Sequence, residues 1–275
     1  MPPLLFFRIT LLFYFVGCLL FLLNLFDRKA MTLEIKPTVA SGSLPLSQRL
    51  AFIVTGAGFL FHTVALCMRL IAEVPFSNVK EALSFFAWAL VLVFFLVELR
   101  YRVYVMGSFI LPMAFLALLS VAILPNTSPI LSGIKGTLLG AHTTLSLLGI
   151  VAFAIAAVAG MMYLLQEGFL KSKQFNALYE KLPSLDLLDQ WNKTALVWGF
   201  PLLTLGMITG ALWSQYVLGS FWSPNNPKQV LSLTAWFFYF IVLQGRLMVG
   251  WRASKAARLA IVGFVGVIFI FVTLM

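Results

Sequence analysis

Eight stretches of this chain contain no Asp, Glu, Lys or Arg: Ile9–Phe26, Leu50–Met68, Ala82–Val97, Val103–Leu124, Gly136–Gln166, Thr194–Pro224, Gln229–Gly245 and Leu259–Met275. A helix needs about 20 mostly apolar residues to cross about 30 Å of hydrocarbon. Most runs meet that alone, and the shorter ones do so with an interfacial residue at each end. Gly136–Gln166 and Thr194–Pro224 exceed one crossing, so each is expected to extend into an interfacial segment. The runs are continuous, without the ten-residue alternation of a transmembrane barrel. With 61% hydrophobic and 10% charged residues, against about a quarter charged in a globular domain, a soluble fold is excluded. The prediction is all-α: a polytopic transmembrane helical bundle of about eight helices, residues 1–275 forming a single integral-membrane domain.

The cations orient it. The first run has only Arg8 before it and no small-residue cleavage site after it, while Arg28 and Lys29 follow at once. That pattern predicts a retained helix rather than a signal peptide. Of the 19 Lys and Arg, 14 fall in the first, third, fifth and seventh connections (among them Arg28, Lys29, Lys36, Arg49, Arg100, Arg102, Lys181 and Arg246). The second, fourth and sixth hold only Lys80, Lys135 and Lys228. The positive-inside rule then puts both termini outside a bacterial-type cytoplasmic (inner) membrane. The net charge of +10 is read as topology, and no nucleic-acid partner is expected.

Chemistry-bearing motifs are few. Cys18 and Cys67 lie in apolar runs without CxxC spacing and are expected to be small buried thiols. There is no nucleotide-binding glycine pattern and no Ser/His/Asp set, and the nine acidic residues fall in connections or at helix ends. Ion-coupled transporters usually carry an ionisable residue within a helix, so that class is disfavoured. In the fifth connection, Leu185, Leu187 and Leu188 among Lys181, Asp186 and Asp189 suggest a short amphipathic surface helix.

The intramembrane polar residues are His62, His142, Gln244 and hydroxyl side chains. His62 is expected about 15 Å deep at 1.5 Å per residue, and His142 near the outer end of the fifth run. Imidazole serves both as metal ligand and as haem axial ligand, and equally as a helix–helix hydrogen-bonding group. The sixth connection, Trp213 to Gln229 with Trp222 at its centre, leads into Ser232 and Trp236. Its aromatics suit a membrane-surface belt, or a flat platform for a porphyrin beside a histidine.

Several motifs in order carry a resemblance: Leu182-Pro-Ser-Leu-Asp-Leu-Leu-Asp-Gln190, Gly199-Phe-Pro-Leu-Leu-Thr-Leu-Gly206-Met-Ile-Thr-Gly210-Ala-Leu-Trp213, Pro75-Phe-Ser-Asn78 with Ser84 to Trp88, His142 with Gly149 to Phe153, and Gly250-Trp-Arg252. Over residues 50–275 the chain resembles the cytochrome c assembly proteins of the CcsA, ResC and HemX-like group. The resemblance implies a haem-handling membrane protein that binds or presents haem (haem b) at the outer face for attachment to apocytochrome c, beside a partner cytochrome c biogenesis membrane protein. It implies His142 as the one inherited outer iron ligand and Trp213, Trp222 and Trp236 as the porphyrin platform; His62, by its imidazole chemistry, is a second candidate iron ligand from within the bundle. The chain departs from the family pattern at Leu218 and Leu231, where tryptophans are usual. It departs also at Pro224-Asn225-Asn226 in place of Trp-Asp, at Gln229 in place of Glu, and at Gln244 in place of an intramembrane His; no histidine follows His142.

Those departures keep a second reading open: a HemX-like accessory or regulatory membrane protein of haem biosynthesis without stable haem ligation, its Lys171–Lys193 surface binding a partner enzyme. A small-molecule permease is least favoured, since no polar path is visible. With no acid–base pair, the chain is expected to act as a non-autonomous subunit of a haem lyase rather than as an enzyme alone.

Overall fold

A backbone inside hydrocarbon must satisfy its own N–H and C=O groups, which a helix does within one segment. The computed structural model describes residues 2–26, 45–72, 78–124, 134–173 and 175–273. Arg28, Lys29, Lys36 and the Pro75-Phe76-Ser77 part of the resemblance lie outside them. In chain order the helices are α1 (Pro2–Phe26), α2 (Leu46–Ala72), α3 (Val79–Tyr101), α4 (Gly107–Ile123), α5 (Ile134–Ser172), α6 (Ala177–Lys181), α7 (Leu185–Leu218), α8 (Pro227–Leu247) and α9 (Ala253–Thr273), with one 3₁₀ turn at Tyr104–Met106. Among the described residues there is no strand, and eight helices are long and apolar enough to cross a membrane. The all-α bundle is as expected, and the protein is a multi-pass membrane protein.

The two overlong runs form the two longest helices. The 39 residues of α5 and the 34 of α7 span about 58 and 51 Å at 1.5 Å per residue, well beyond one bilayer core. One expectation is corrected at the start of α7. Leu185–Asp189 is not a separate amphipathic helix but the first turn of α7. Ser184 caps it by accepting from the Leu187 N–H at 3.4 Å. Leu188 and Trp191 are buried, so this segment packs as part of the long helix, which continues through Pro201 to Leu218. The short helix of this connection is α6 instead, capped by Asn176, whose Oδ1 accepts from Tyr179 N–H at 3.0 Å.

Two compact units divide the chain. In the first, α1 packs on α2, α4 and α6, with α3 from Leu83 onward in the same unit. Tyr14 of α1 is fully buried and seats against Gly58 of α2, where a Cβ would come within 3.0 Å of its ring. Phe21 and Phe94 meet edge to face at 5.4 Å. The Lys181 ammonium donates to the last carbonyls of α1, Asn24 O at 2.7 Å and Leu25 O at 3.4 Å, where a helix end carries partial negative charge. Cys67 corrects another expectation: Cys18 is buried but Cys67 is exposed on α2, because it falls on the face turned away from α1.

The second unit holds α5 as far as Gly168 together with α7, α8 and α9. Here backbones approach closely over small residues, the usual way helices associate in lipid. A Cβ on Gly149 would lie 2.9 Å from Leu203 N, and one on Gly160 would lie 2.9 Å from Ala257 O. Buried Asn192 of α7 donates its amide to Ala156 O of α5 at 2.8 Å.

Candidate functional site

His142 sits about two turns into α5, where that helix packs against the C-terminal half of α7. The stretch Gly206-Met-Ile-Thr-Gly210 presents two glycines to it. A Cβ on Gly210 would come 2.5 Å from the His142 Nδ1, and one on Gly206 would come 2.8 Å from Ser146 N. No larger residue at 210 leaves room for the imidazole. The missing side chain also exposes backbone, and the His142 Nδ1 lies 2.7 Å from the Gly206 carbonyl oxygen.

That contact decides the tautomer. A carbonyl oxygen only accepts, so the Nδ1 must carry the hydrogen, and in the neutral ring the Nε2 keeps its lone pair. This is the arrangement by which proteins orient a histidine for metal, with one nitrogen anchored and the other offered.

The three tryptophans are not equivalent. At 3.6 residues per turn, Gly206, Gly210 and Trp213 fall on one face of α7, whereas Thr204 lies roughly 120–180° around from them. Trp213 thus shares the histidine's face. It is half-buried, and its indole Nε1 is buried without a hydrogen-bond partner. Trp236 of α8 donates to the Thr204 hydroxyl at 2.9 Å, stacks on Phe240 at 5.6 Å and leans on Phe200 at 5.3 Å. It packs α8 against the other side of α7.

Trp222 is carried by the loop between α7 and α8. The loop starts at Gly219, whose φ of +75° closes α7 in the left-handed conformation glycine adopts freely. It ends at Asn226, which caps α8 by accepting from Lys228 N–H at 3.0 Å. Between them Phe221 and Trp222 are 55% and 43% exposed, an aromatic surface at the same end of the unit as His142.

His62 belongs to the first unit and is differently placed. It is fully buried. Its Nδ1 lies 3.2 Å from the Tyr14 hydroxyl and its Nε2 lies 3.0 Å from the Ser84 hydroxyl, so both nitrogens are engaged and the ring ties α1, α2 and α3 together. Beside it Trp88 donates to Thr63 at 2.9 Å. The same unit has a cavity of about 210 Å³ among Phe21, Gln48, Arg102, Tyr104 and Lys181, below the roughly 300–1,000 Å³ of sites for drug-sized ligands. Among the described residues no group of three His, Cys, Asp or Glu side chains gathers for a metal ion.

One cluster escaped the sequence reading. At the opposite end of the second unit, Arg246 near the end of α8 forms an ion pair with Asp189 in the first turns of α7. It also donates to Trp251 O at 3.3 Å. The Lys255 ammonium lies 3.7 Å above the Trp251 ring, which packs on Gly245. Sequence spacing cannot pair residues 57 positions apart. The only available signal was that an acidic and a basic residue both fall at helix ends on the same predicted side.

These features define a polytopic helical membrane protein with a backbone-anchored histidine and an aromatic loop at one end of its second unit. Residues 76–275 match the family model described as Cytochrome C assembly protein, and the chain belongs to that family. Similar proteins include the cytochrome c biogenesis protein CcsA of Guillardia theta, 28% identical over 211 residues covering 70% of each chain. That of Prochlorococcus marinus (strain NATL1A) is 29% identical over 262 residues, covering 82% of this chain and 81% of the relative. That of Chlamydomonas reinhardtii is 29% identical over 203 residues, covering 71% and 56%. The role is therefore in cytochrome c biogenesis, as the resemblance implied.

Proposed function

We propose that this protein binds haem b at the outer face of a bacterial-type cytoplasmic membrane and presents it to apocytochrome c, working with a partner cytochrome c biogenesis membrane protein. The observation that carries the reading is the His142 Nδ1–Gly206 O contact at 2.7 Å. It leaves Nε2 as the lone-pair nitrogen that ferrous or ferric iron takes. The residues present fit the group: an oriented imidazole, the Trp213 indole on the same helix face with an unspent N–H, and the exposed Trp222 ring on the adjoining loop.

Orientation follows from the second unit alone. Its two ends differ in charge: Asp189, Arg246, Arg252 and Lys255 mark one, His142, Trp213 and Trp222 the other. The cation-rich end belongs inside, which supports a histidine end facing outward; with eight helices of spanning length, both termini would share that outer side.

Haem supplies the vinyl groups to which apocytochrome thiols add, forming thioethers. The chain's own part is to bind, orient and shield. His142 would hold the iron and Trp213 and Trp222 would contact the porphyrin, while Trp236 holds α8 against α7. Within the first unit, His62 is proposed separately as an iron ligand, and taking iron there would require Tyr14 or Ser84 to release a ring nitrogen.

The test is the absorption spectrum of full-length protein purified from haem-replete cells, beside His142→Ala and His62→Ala. A Soret band that weakens in His142→Ala is expected. A colourless wild type that instead retains a haem-synthesis enzyme would replace this reading with the accessory one.

A further inference from the structure

We propose that Gln229 is the positioning residue of the aromatic loop: its side-chain amide bridges the loop to the last turns of α7 and so sets where Trp222 presents its ring. This rests on the reading of the loop as a haem platform.

Three hydrogen bonds carry the inference. The Gln229 Oε1 accepts from the Ser223 backbone N–H at 2.6 Å. Its Nε2 donates to the Ser214 hydroxyl oxygen at 3.1 Å. The Ser214 hydroxyl in turn donates to Ser220 O at 2.7 Å. One side chain at the start of α8 thus holds the loop on both sides of Phe221 and Trp222, through a serine of α7 that is only 2% exposed. A fourth bond, from the Ser220 hydroxyl to Trp222 O at 2.7 Å, carries the constraint to the tryptophan itself. Phe221 and Trp222 are about half exposed, so packing alone holds them weakly and the hydrogen bonds add the constraint.

The chemistry is specific to an amide. Ser223 N–H needs an acceptor, and the Ser214 oxygen, whose hydrogen is spent on Ser220 O, needs a donor. A glutamine meets both demands at once. A carboxylate offers only acceptors, so Glu at 229 would keep Ser223 but draw the Ser214 hydrogen to itself, releasing Ser220 O. The polar substitution at 229 is therefore not a lost charge alone but a different way of holding the loop.

Two readouts on the full-length protein in lipid nanodiscs test this. The first is amide hydrogen exchange of the 214–229 region, which needs no haem; the second is a haem titration followed at the Soret band. In Gln229→Ala, exchange across Ser220–Ser223 should rise about tenfold, with exchange of α5 and α7 unchanged as the folding control. Haem should bind about three- to tenfold more weakly, the scale of one to two such bonds. Gln229→Glu should keep Ser223 protected yet loosen Ser220, and Ser214→Ala should reproduce that pattern while folding intact.

Unchanged loop exchange in Gln229→Ala overturns the proposal, whatever haem does. A loosened loop with undiminished haem affinity, where Trp222→Ala does weaken binding, also overturns it, since the loop would then need no fixed position. If wild type takes up no haem and Trp222→Ala changes nothing, the platform reading fails and the proposal with it; loop exchange would then report a purely structural clamp.

Discussion

The His142 Nδ1 and the Gly206 carbonyl oxygen lie 2.7 Å apart across the seam between α5 and α7. The bond spends one ring nitrogen on the protein's own backbone, and it exists because residues 206 and 210 have no side chains in the way. An oriented, single-tautomer imidazole is thus a product of helix packing.

Gly210→Ala is the sharpest test of that seam. Its added methyl would meet the imidazole at 2.5 Å, and overpacking of this kind costs about 1–3 kcal/mol. The ring should be pushed off Gly206 O, lowering haem affinity about tenfold while far-ultraviolet circular dichroism stays that of wild type. A Gly210→Ala protein with full affinity would mean the imidazole has another seat.

Trp236 and Trp222 should separate cleanly. Trp236→Phe keeps the ring stack on Phe240 but gives up the 2.9 Å bond to Thr204, a loss of about 0.5–1.5 kcal/mol. It should lower the unfolding midpoint and leave the Soret titration unchanged. Trp222→Ala, at a 43% exposed position, should do the reverse.

For His62, the informative variant is Tyr14→Phe. Interhelical hydrogen bonds in membranes average about 0.6 kcal/mol, so stability should fall only slightly. Freeing Nδ1 removes the conformational cost of using this ring as a ligand, and haem uptake should strengthen. Equal affinity in Tyr14→Phe and wild type would leave His62 as a packing residue.

Asp189→Ala should be costly for its size, because it leaves Arg246, whose side chain is 6% exposed, without its carboxylate. Breaking a fully buried pair costs about 3–5 kcal/mol; Asp189 itself is 34% exposed, which brings the expected loss to about 1–3 kcal/mol. The double variant Asp189→Leu with Arg246→Met should recover much of it. Detergent-resistant thermal unfolding reads both, and additive losses in the double variant would deny the coupling.

Much of this was legible in the chain itself. A stretch such as Thr194–Pro224 has no charge to bring out of the membrane, so lipid forces its membrane-spanning part into a helix before any packing is known, and that helix ends at Leu218. The family motifs around Gly206 and Trp213 were equally visible. What composition could not reveal is angular: residues 204 and 206 are neighbours in sequence but face opposite sides of α7, which parts Trp236 from His142. The anchoring of His142 escaped for a related reason, because its partner is a backbone carbonyl, and every residue has one. Asp189 read as part of a surface helix because its counter-charge lay 57 residues away.

The bare seat at residue 210 has an evolutionary corollary. Within this family, residues 142 and 210 should change together. A lineage that places any side chain at 210 has filled the space its imidazole occupies, and is then free to drop the histidine too. Substitutions at this pair, counted across sequences of the family, would record where ligand binding at this end was abandoned while the bundle survived.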